Sequence, residues 1–311
     1  MSDKLRVAVI GVGYLGRFHA LIYSRMPAVE LVGVADVDAE SAQRVAEEAG
    51  TRGYTDYRAL LDKVDAVSIV VPTSLHLEVA RPFLEQGVHM LLEKPIAATA
   101  AEAETLVGLA EQHGLLLQIG HLERFNAGVM ALAGQIKAPR FIEAHRISPF
   151  VARATDVDVV SDLMIHDIDI ILSLVDAEIS AISAVGTPVL TSHIDIANAR
   201  LEFANGTVAN VIASRVSEKQ MRRIRVFERN RYISLDFVDQ RIETAVPRPA
   251  KEGEWPEIVT ERIDVESVRP LDTELAAFVE SVRTGRPPLV DGRVGQKALQ
   301  VALQVKEKMS A

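Results

Sequence analysis

Five apolar runs punctuate the first 120 residues: RVAVIG (6–11), ELVGVAD (30–36), AVSIVV (66–71), VHMLLE (88–93) and LLLQIG (115–120). They are apolar at consecutive rather than alternate positions, which is the pattern of strands covered on both faces. Between them lie segments of helical period near 15–26, 39–49, 74–86 and 100–113, with a shorter one at 56–62. Alternation of this kind predicts a parallel sheet wrapped by helices. Beyond about residue 120 the pattern shifts to successive β-type runs at 140–148, 178–186, 194–203, 207–214, 222–228 and 231–237, closed by helices at 272–284 and 292–309. Asn205-Gly206 marks a hairpin turn between two of these runs. The expectation is an α/β chain in two parts. Residues 1–120 form a doubly wound parallel sheet of Rossmann type, and 121–311 form an α+β domain with a large, mainly antiparallel open sheet.

One segment breaks the apolar pattern. Wound as a regular α-helix, 162-DLMIHDIDIILSL-174 aligns Asp162, His166, Asp169 and Ser173 in one stripe, while Leu, Met and Ile cover nearly every other direction. Such a helix is expected to be buried, and burying unpaired charge is costly. The stripe therefore needs partners, and a substrate is one candidate. Asp167 lies off the stripe and is expected to be a satisfied structural carboxylate.

Composition narrows the choice. The chain of 311 residues is 48% hydrophobic and 25% charged, with no segment of disordered composition. Its net charge of −9 argues against a nucleic-acid or anionic-membrane binder. The basic run 222-RRIRVFERNR-231 alternates with apolar residues and predicts a strand with a solvated face. There is no cysteine, which excludes disulfides, thiolate metal sites and a thiol nucleophile. No apolar run approaches membrane-spanning length, and MSDKLRVAVIG lacks signal-peptide features, so a cytoplasmic protein is expected.

The first strand runs into 11-GVGYLG-16 at the start of a helix. In that context Gly11 permits the tight turn, Gly13 lets backbone approach a pyrophosphate, and Gly16 allows close helix packing. Val12, Tyr14 and Leu15 complete the loop. Asp36 closes the second strand about 20 residues beyond Gly16, where a carboxylate bonds the ribose hydroxyls. Its charge disfavours a 2′-phosphate, so NAD is expected over NADP. Pro72, Thr73 and His76 follow the third run on the same edge; for His76, contact with the nicotinamide side and plain packing are equal alternatives. The fourth run ends in Glu93-Lys94-Pro95, which holds Lys94 at the carboxyl end of a parallel strand, the edge where open α/β sheets bind ligands.

GVGYLG, the strand ending in EKP, and D-x-x-x-H-D in the second part together resemble the glucose-fructose oxidoreductase / inositol dehydrogenase (Gfo/Idh/MocA) family over essentially the whole chain. The resemblance implies hydride transfer between a sugar-like alcohol and NAD(P), with the catalytic lysine at Lys94 and the family's Asp and His at Asp162 and His166. It also implies assembly, as a homodimer or homotetramer, through the C-terminal sheet. Within the family, 120-GHLERFNAGV-129 and 160-VSDLMIHDIDIIL-172 are most similar to the branch that oxidises the 3-hydroxyl of UDP-N-acetylglucosamine for a downstream aminotransferase. That branch usually carries proline where Ala127 stands.

Oxidising a secondary alcohol needs a base to take the hydroxyl proton, a task suited to histidine. His166 is the expected base or proton acceptor, with Lys94 sharing the proton and Asp162 binding a neighbouring hydroxyl or Lys94. Asp169 is expected to orient the imidazole or pair with an arginine, the structural role being favoured. His121, Glu123, Arg124 and Asn126 are candidate substrate anchors, although an Arg124–Glu123 salt bridge is an even alternative. Arg146 and Arg153 are candidates for a diphosphate. Two rival classes remain: a metal enzyme using Asp162, His166 and Asp169, and a non-catalytic dinucleotide sensor. The chain lacks H-E-x-x-H and keeps Lys94, Asp162 and His166, so neither is favoured and no metal is expected.

Overall fold

Strand β1 (Leu5–Ile10) enters the interior at once, its last four residues buried, and turns at Gly11 into helix α1 (Tyr14–Tyr23). The computed structural model describes residues 4–132, 134–151, 157–248, 255–265 and 268–309. Next come β2 (Val29–Ala35), α2 (Ala39–Ala49), β3 (Gly53–Tyr54), β4 (Ala66–Ile69), α3 (His76–Glu85), β5 (His89–Glu93), α4 (Ala100–Gln112) and β6 (Leu117–Gly120). All six strands run parallel in the order β3-β2-β1-β4-β5-β6. That is the order of two mononucleotide-binding halves built outward from β1 and β4. The two-residue β3 has no apolar run of its own.

After the short α5 (Ala127–Leu132) the chain lays down β7 (Phe141–Ile147), a π-helical turn at Val160–Met164, α6 (Ile165–Leu174), β8 (Ile179–Thr187), β9 (Ile196–Phe203) and β10 (Val208–Ser214). Then follow β11 (Met221–Glu228), β12 (Arg231–Asp236), β13 (Arg241–Arg248), β14 (Glu257–Asp264), α7 (Pro270–Thr284) and α8 (Gly292–Met309). The eight strands form one sheet in the order β14-β13-β12-β11-β7-β10-β9-β8. Every neighbouring pair is antiparallel except β7 with β10. The basic run forms β11 and the turn to β12. Strands β13 and β14 escape sequence patterning because RIETAVPR and EIVTERID carry charge at many positions, β14 being the edge strand and β13 the strand beside it.

Two units emerge: Met1–Leu122 with Arg269–Leu299, and Glu123–Val268 with Gln300–Ala311. A single boundary near residue 120 therefore misses a return of the chain. Leu275, Phe278 and Val279 of α7 join Val7, Val9, Tyr23 and Val34 in one core, so this helix completes the first unit. Burial of such side chains, worth about 1.5–3 kcal/mol each, outweighs proximity in sequence.

In the second unit, Asp158 sets the start of the π turn. Its Oδ1 accepts from the amides of Val160 (3.0 Å) and Ser161 (2.9 Å), and its Oδ2 lies 2.8 Å from Lys306 Nζ. Burial opposes the charged carboxyl, but the bonds from Lys306 and Ser161 outweigh it and hold the group below its ordinary value. Asp158→Ala should cost about 1–2 kcal/mol in urea unfolding near neutral pH. A depressed carboxyl contributes stability that is present above its unfolded value and lost as pH falls, so the gap between wild type and variant should begin to close below about pH 4.

Candidate functional site

Three glycines shape the turn after β1 in different ways. Gly11 adopts φ +83°, and a Cβ there would lie 2.5 Å from the Val70 carbonyl oxygen. A Cβ on Gly16 would lie 1.9 Å from the Gly11 oxygen, so α1 can approach β1 only because that position is bare. At Gly13 an added Cβ would meet nothing within 4 Å, which leaves an open cradle before the N-terminus of α1. Asp36 secures the loop: its Oδ2 accepts from the Val12 amide at 2.8 Å and its Oδ1 from the Asp38 amide at 3.0 Å. A cavity of about 410 Å³ lies beside it, lined by Gly11, Gly13, Asp36, Thr55, Tyr57 and Pro72 among others. Val12 is buried, whereas Tyr14 is exposed and half-exposed Leu15 lies beside it. An unobstructed helix N-terminus, a fixed carboxylate and a hollow beside them fit a dinucleotide. Thr55 and Tyr57 carry no sequence signal, because they reach the cavity only through the fold.

His76 does not face this cavity as an open ligand. It is 1% exposed, with Nδ1 3.3 Å from the Ile96 oxygen and Nε2 3.0 Å from the Val71 oxygen. Burial pushes its pKa down. The ring ties the loop after β4 to the segment after Lys94, so the packing alternative replaces nicotinamide contact. Thr73 opens a short 3₁₀ turn that leads into this histidine.

Glu93 ends β5 in a polar cluster within the first unit. Its Oε1 lies 3.5 Å from His19 Nε2, and its Oε2 accepts from the Lys94 amide at 3.3 Å. His19 Nδ1 is 3.2 Å from Ser68 Oγ, which is 2.9 Å from the Tyr23 hydroxyl. Glu274 of α7 is fully buried, and neither carboxyl oxygen has a hydrogen-bond partner among the described residues. Burial, with the charge of Glu93 added, raises its pKa well above the ordinary carboxylate range. Gln118 donates to the Glu274 backbone oxygen at 3.3 Å. Sequence reasoning missed His19 and Glu274. The available signal was a lone carboxylate beside Leu275 and within a helical turn of Leu271 and Phe278.

In the second unit most of the proposed anchors are already engaged. Arg146 is 4% exposed; its Nε and Nη2 donate to Asp167 at 2.8 and 2.9 Å, and its Nη1 to Glu123 at 2.6 Å. Burial alone would weaken the guanidinium's hold on its proton, but the two carboxylates more than offset it. Arg146 is thus a structural cation rather than a phosphate ligand, and Glu123 is its partner. Arg124 pairs with buried Asp169 at 3.4 Å instead of with Glu123. Asn126 Oδ1 accepts from the Gly128 amide at 2.9 Å and so shapes the entry to α5. His121, in the first unit, has no exposed surface to offer a substrate. Arg153 lies outside the described residues.

The stripe is also altered. Residues 160–164 wind as a π-helix and only Ile165 onward as an α-helix, so the regular 100° step fails at Asp162. Single π turns recur at functional sites. Asp169 turns inward to Arg124, and Ser173 Oγ bonds the Ile170 oxygen. Asp162 and His166 remain half-buried and accessible.

A family model described as an oxidoreductase family with an NAD-binding Rossmann fold matches residues 5–121, and a Gfo/Idh/MocA C-terminal domain model matches 129–233. The chain is 41% identical over 309 residues to the UDP-N-acetylglucosamine 3-dehydrogenase of Acidithiobacillus ferrooxidans, covering 99% of this chain and 98% of that one. A solved structure of that enzyme superposes with a TM-score of 0.93 over 98% of this chain and 97% of the other. The scyllo-inositol 2-dehydrogenase (NAD(+)) of Bacillus subtilis is 30% identical over 238 residues, 70% of this chain and 69% of that protein. A levoglucosan dehydrogenase solved with NADH and levoglucosan shares the fold at a TM-score of 0.87 and 19% identity, covering 99% of this chain and 97% of that one.

The glycines separate stability from binding. Gly16→Ala should cost about 1–3 kcal/mol through overpacking, read as a lower melting temperature. Gly13→Ala should leave melting nearly unchanged and weaken NAD binding in a fluorescence titration, because its Cβ would enter only the cradle.

Proposed function

Because the chain belongs to the Gfo/Idh/MocA oxidoreductase family and carries its NAD-binding Rossmann domain, we propose that it oxidises the 3-hydroxyl of UDP-N-acetylglucosamine to the 3-keto sugar nucleotide. The observation that carries this reading is 41% identity, over 99% of the chain, to an enzyme of that activity. Bound NAD supplies the hydride acceptor. The chain supplies the proton chemistry: His166 accepts the hydroxyl proton, Lys94 shares it, and Asp162 binds a neighbouring hydroxyl. Half-burial of Asp162 and His166, with Asp169 diverted to Arg124, supports this division of labour. Arg153 stays the candidate for the diphosphate once Arg146 is assigned to Asp167.

A 3-keto sugar nucleotide is a substrate for an aminotransferase, which is the reaction class we place downstream. Among the described residues no helix is long and apolar enough to cross a membrane, in keeping with a cytoplasmic enzyme. We place the subunit contact of a homodimer or homotetramer on the second unit's sheet. There Phe141, Phe227 and Tyr232 lie half-buried in a row, with ring centroids 5.7 and 5.1 Å apart.

The decisive assay follows NADH formation with UDP-N-acetylglucosamine, free N-acetylglucosamine, glucose 6-phosphate and inositols. Turnover is expected with the UDP sugar; turnover of inositols alone would favour the alternative, a dehydrogenase of a free sugar, sugar phosphate or inositol, for which 30% identity to an inositol dehydrogenase speaks. Lys94→Ala and His166→Ala should each lower kcat by at least about 100-fold with NAD binding retained, and unchanged turnover in both would sink the assigned roles. Asp36→Ser should raise the KM for NAD about tenfold or more, through loss of charged hydrogen bonds, and narrow the preference over NADP.

A further inference from the structure

Glu93 and Glu274 are among the buried titratable groups that the proposed proton chemistry leaves unused. Glu274 is fully enclosed, both of its oxygens lack hydrogen-bond partners among the described residues, and it feels the charge of Glu93. Burial and the neighbouring charge of Glu93 both favour the neutral form of Glu274, so a proton stays with Glu274. Glu93 keeps a side-chain exposure of 12%, which gives that proton a way to water. Glu93 also stands at the carboxyl end of β5. In a sheet of order β3-β2-β1-β4-β5-β6 with Asp36 at β2, the half beginning at β4 takes the nicotinamide nucleotide.

We propose that Glu93 and Glu274 form a proton-sharing pair that reads the charge of the nicotinamide ring, releasing its proton when oxidised cofactor binds and retaining it when reduced cofactor binds. The ring is cationic in NAD⁺ and neutral in NADH. A cation near Glu93 favours the doubly ionised pair: a carboxyl O–H bond breaks, the proton goes to bulk water, and no electron moves. NADH gives no such bias. The inference rests on NAD binding by the first unit and is independent of the sugar substrate.

The groups that face the pair are His19 and Tyr23 from α1, His76 from α3 and Lys94 beside Glu93, with Ser68 on β4 and Gln118 on β6 as neutral neighbours. Lys94 is the main competing source of a proton, because its deprotonation would also favour NAD⁺.

The test is calorimetric titration of the full-length protein with NAD⁺ and with NADH, from pH 6 to 9, in two buffers of different ionisation enthalpy. NAD⁺ binding should release more protons than NADH binding. The ratio of NAD⁺ to NADH dissociation constants should fall as pH rises, by up to about tenfold per pH unit where the pair titrates. Glu274→Gln, which mimics the protonated acid, should abolish the difference, whereas Lys94→Ala should preserve it. Should Glu274→Gln fail to fold, Glu93→Gln is expected to abolish the difference as well. Wild-type proton release in whichever of these two variants folds would overturn the proposal, as would equal release for both cofactors or loss of the difference in Lys94→Ala. None of these readings depends on sugar turnover.

Discussion

Arg146 and Asp167, each almost without exposed surface, meet through two hydrogen bonds of 2.8 and 2.9 Å, and the second unit is organised around that meeting. A guanidinium inside a protein must be matched in charge and in geometry, and the bidentate carboxylate does both. Arg146 belongs to the row Ile142, Ala144 and Arg146 that β7 turns inward. Asp167 is brought to it by α6, and Glu123 closes the third donor. Once Asp167 is committed to the sheet, the rotation of α6 is set. Asp169 then falls against Arg124, while Asp162 and His166 keep access.

The same constraint acts differently in the first unit. There Glu274 is buried with no hydrogen-bond partner for its carboxyl oxygens among the described residues, and the cheaper solution is to keep a proton. His19, Ser68 and Tyr23 form a hydrogen-bonded line on one side of Glu93, and Gln118 bonds the backbone of Glu274 on the other. One unit neutralises buried charge with arginine; the other neutralises it with protons. The first solution is insensitive to pH near neutrality because a guanidinium does not titrate there.

Much of the scaffold was legible in the sequence for identifiable reasons. Continuous apolar runs mark strands covered on both faces, and β1, β2, β4, β5 and β6 all have them. The glycine spacing after β1 was readable because each glycine answers a backbone demand: positive φ at Gly11, contact with Gly11 at Gly16, open space at Gly13. Strand β14 was illegible because a solvated edge strand need not be apolar, and β13, next to it, because only its Ile242 and Thr244 turn inward. The π turn was illegible because helical period is a local average, and Asp158 imposes the change through bonds to Val160, Ser161 and Lys306.

Local chemistry determined the parallel sheet and the dinucleotide turn, and the resemblance of the motifs to a family suggested Lys94, Asp162 and His166 as candidates. Tertiary structure decided which of the other polar residues were available. Arg146, Arg124, Glu123, Asn126 and His76 have side chains suited to holding a ligand, and their spacing near the motifs is suggestive. Each is instead engaged by a partner within its unit: Asp167, Asp169, Arg146, the Gly128 amide, and the carbonyls of Val71 and Ile96. A side chain's hydrogen-bonding capacity is written in its residue type, but whether that capacity is already used depends on which residues folding brings beside it.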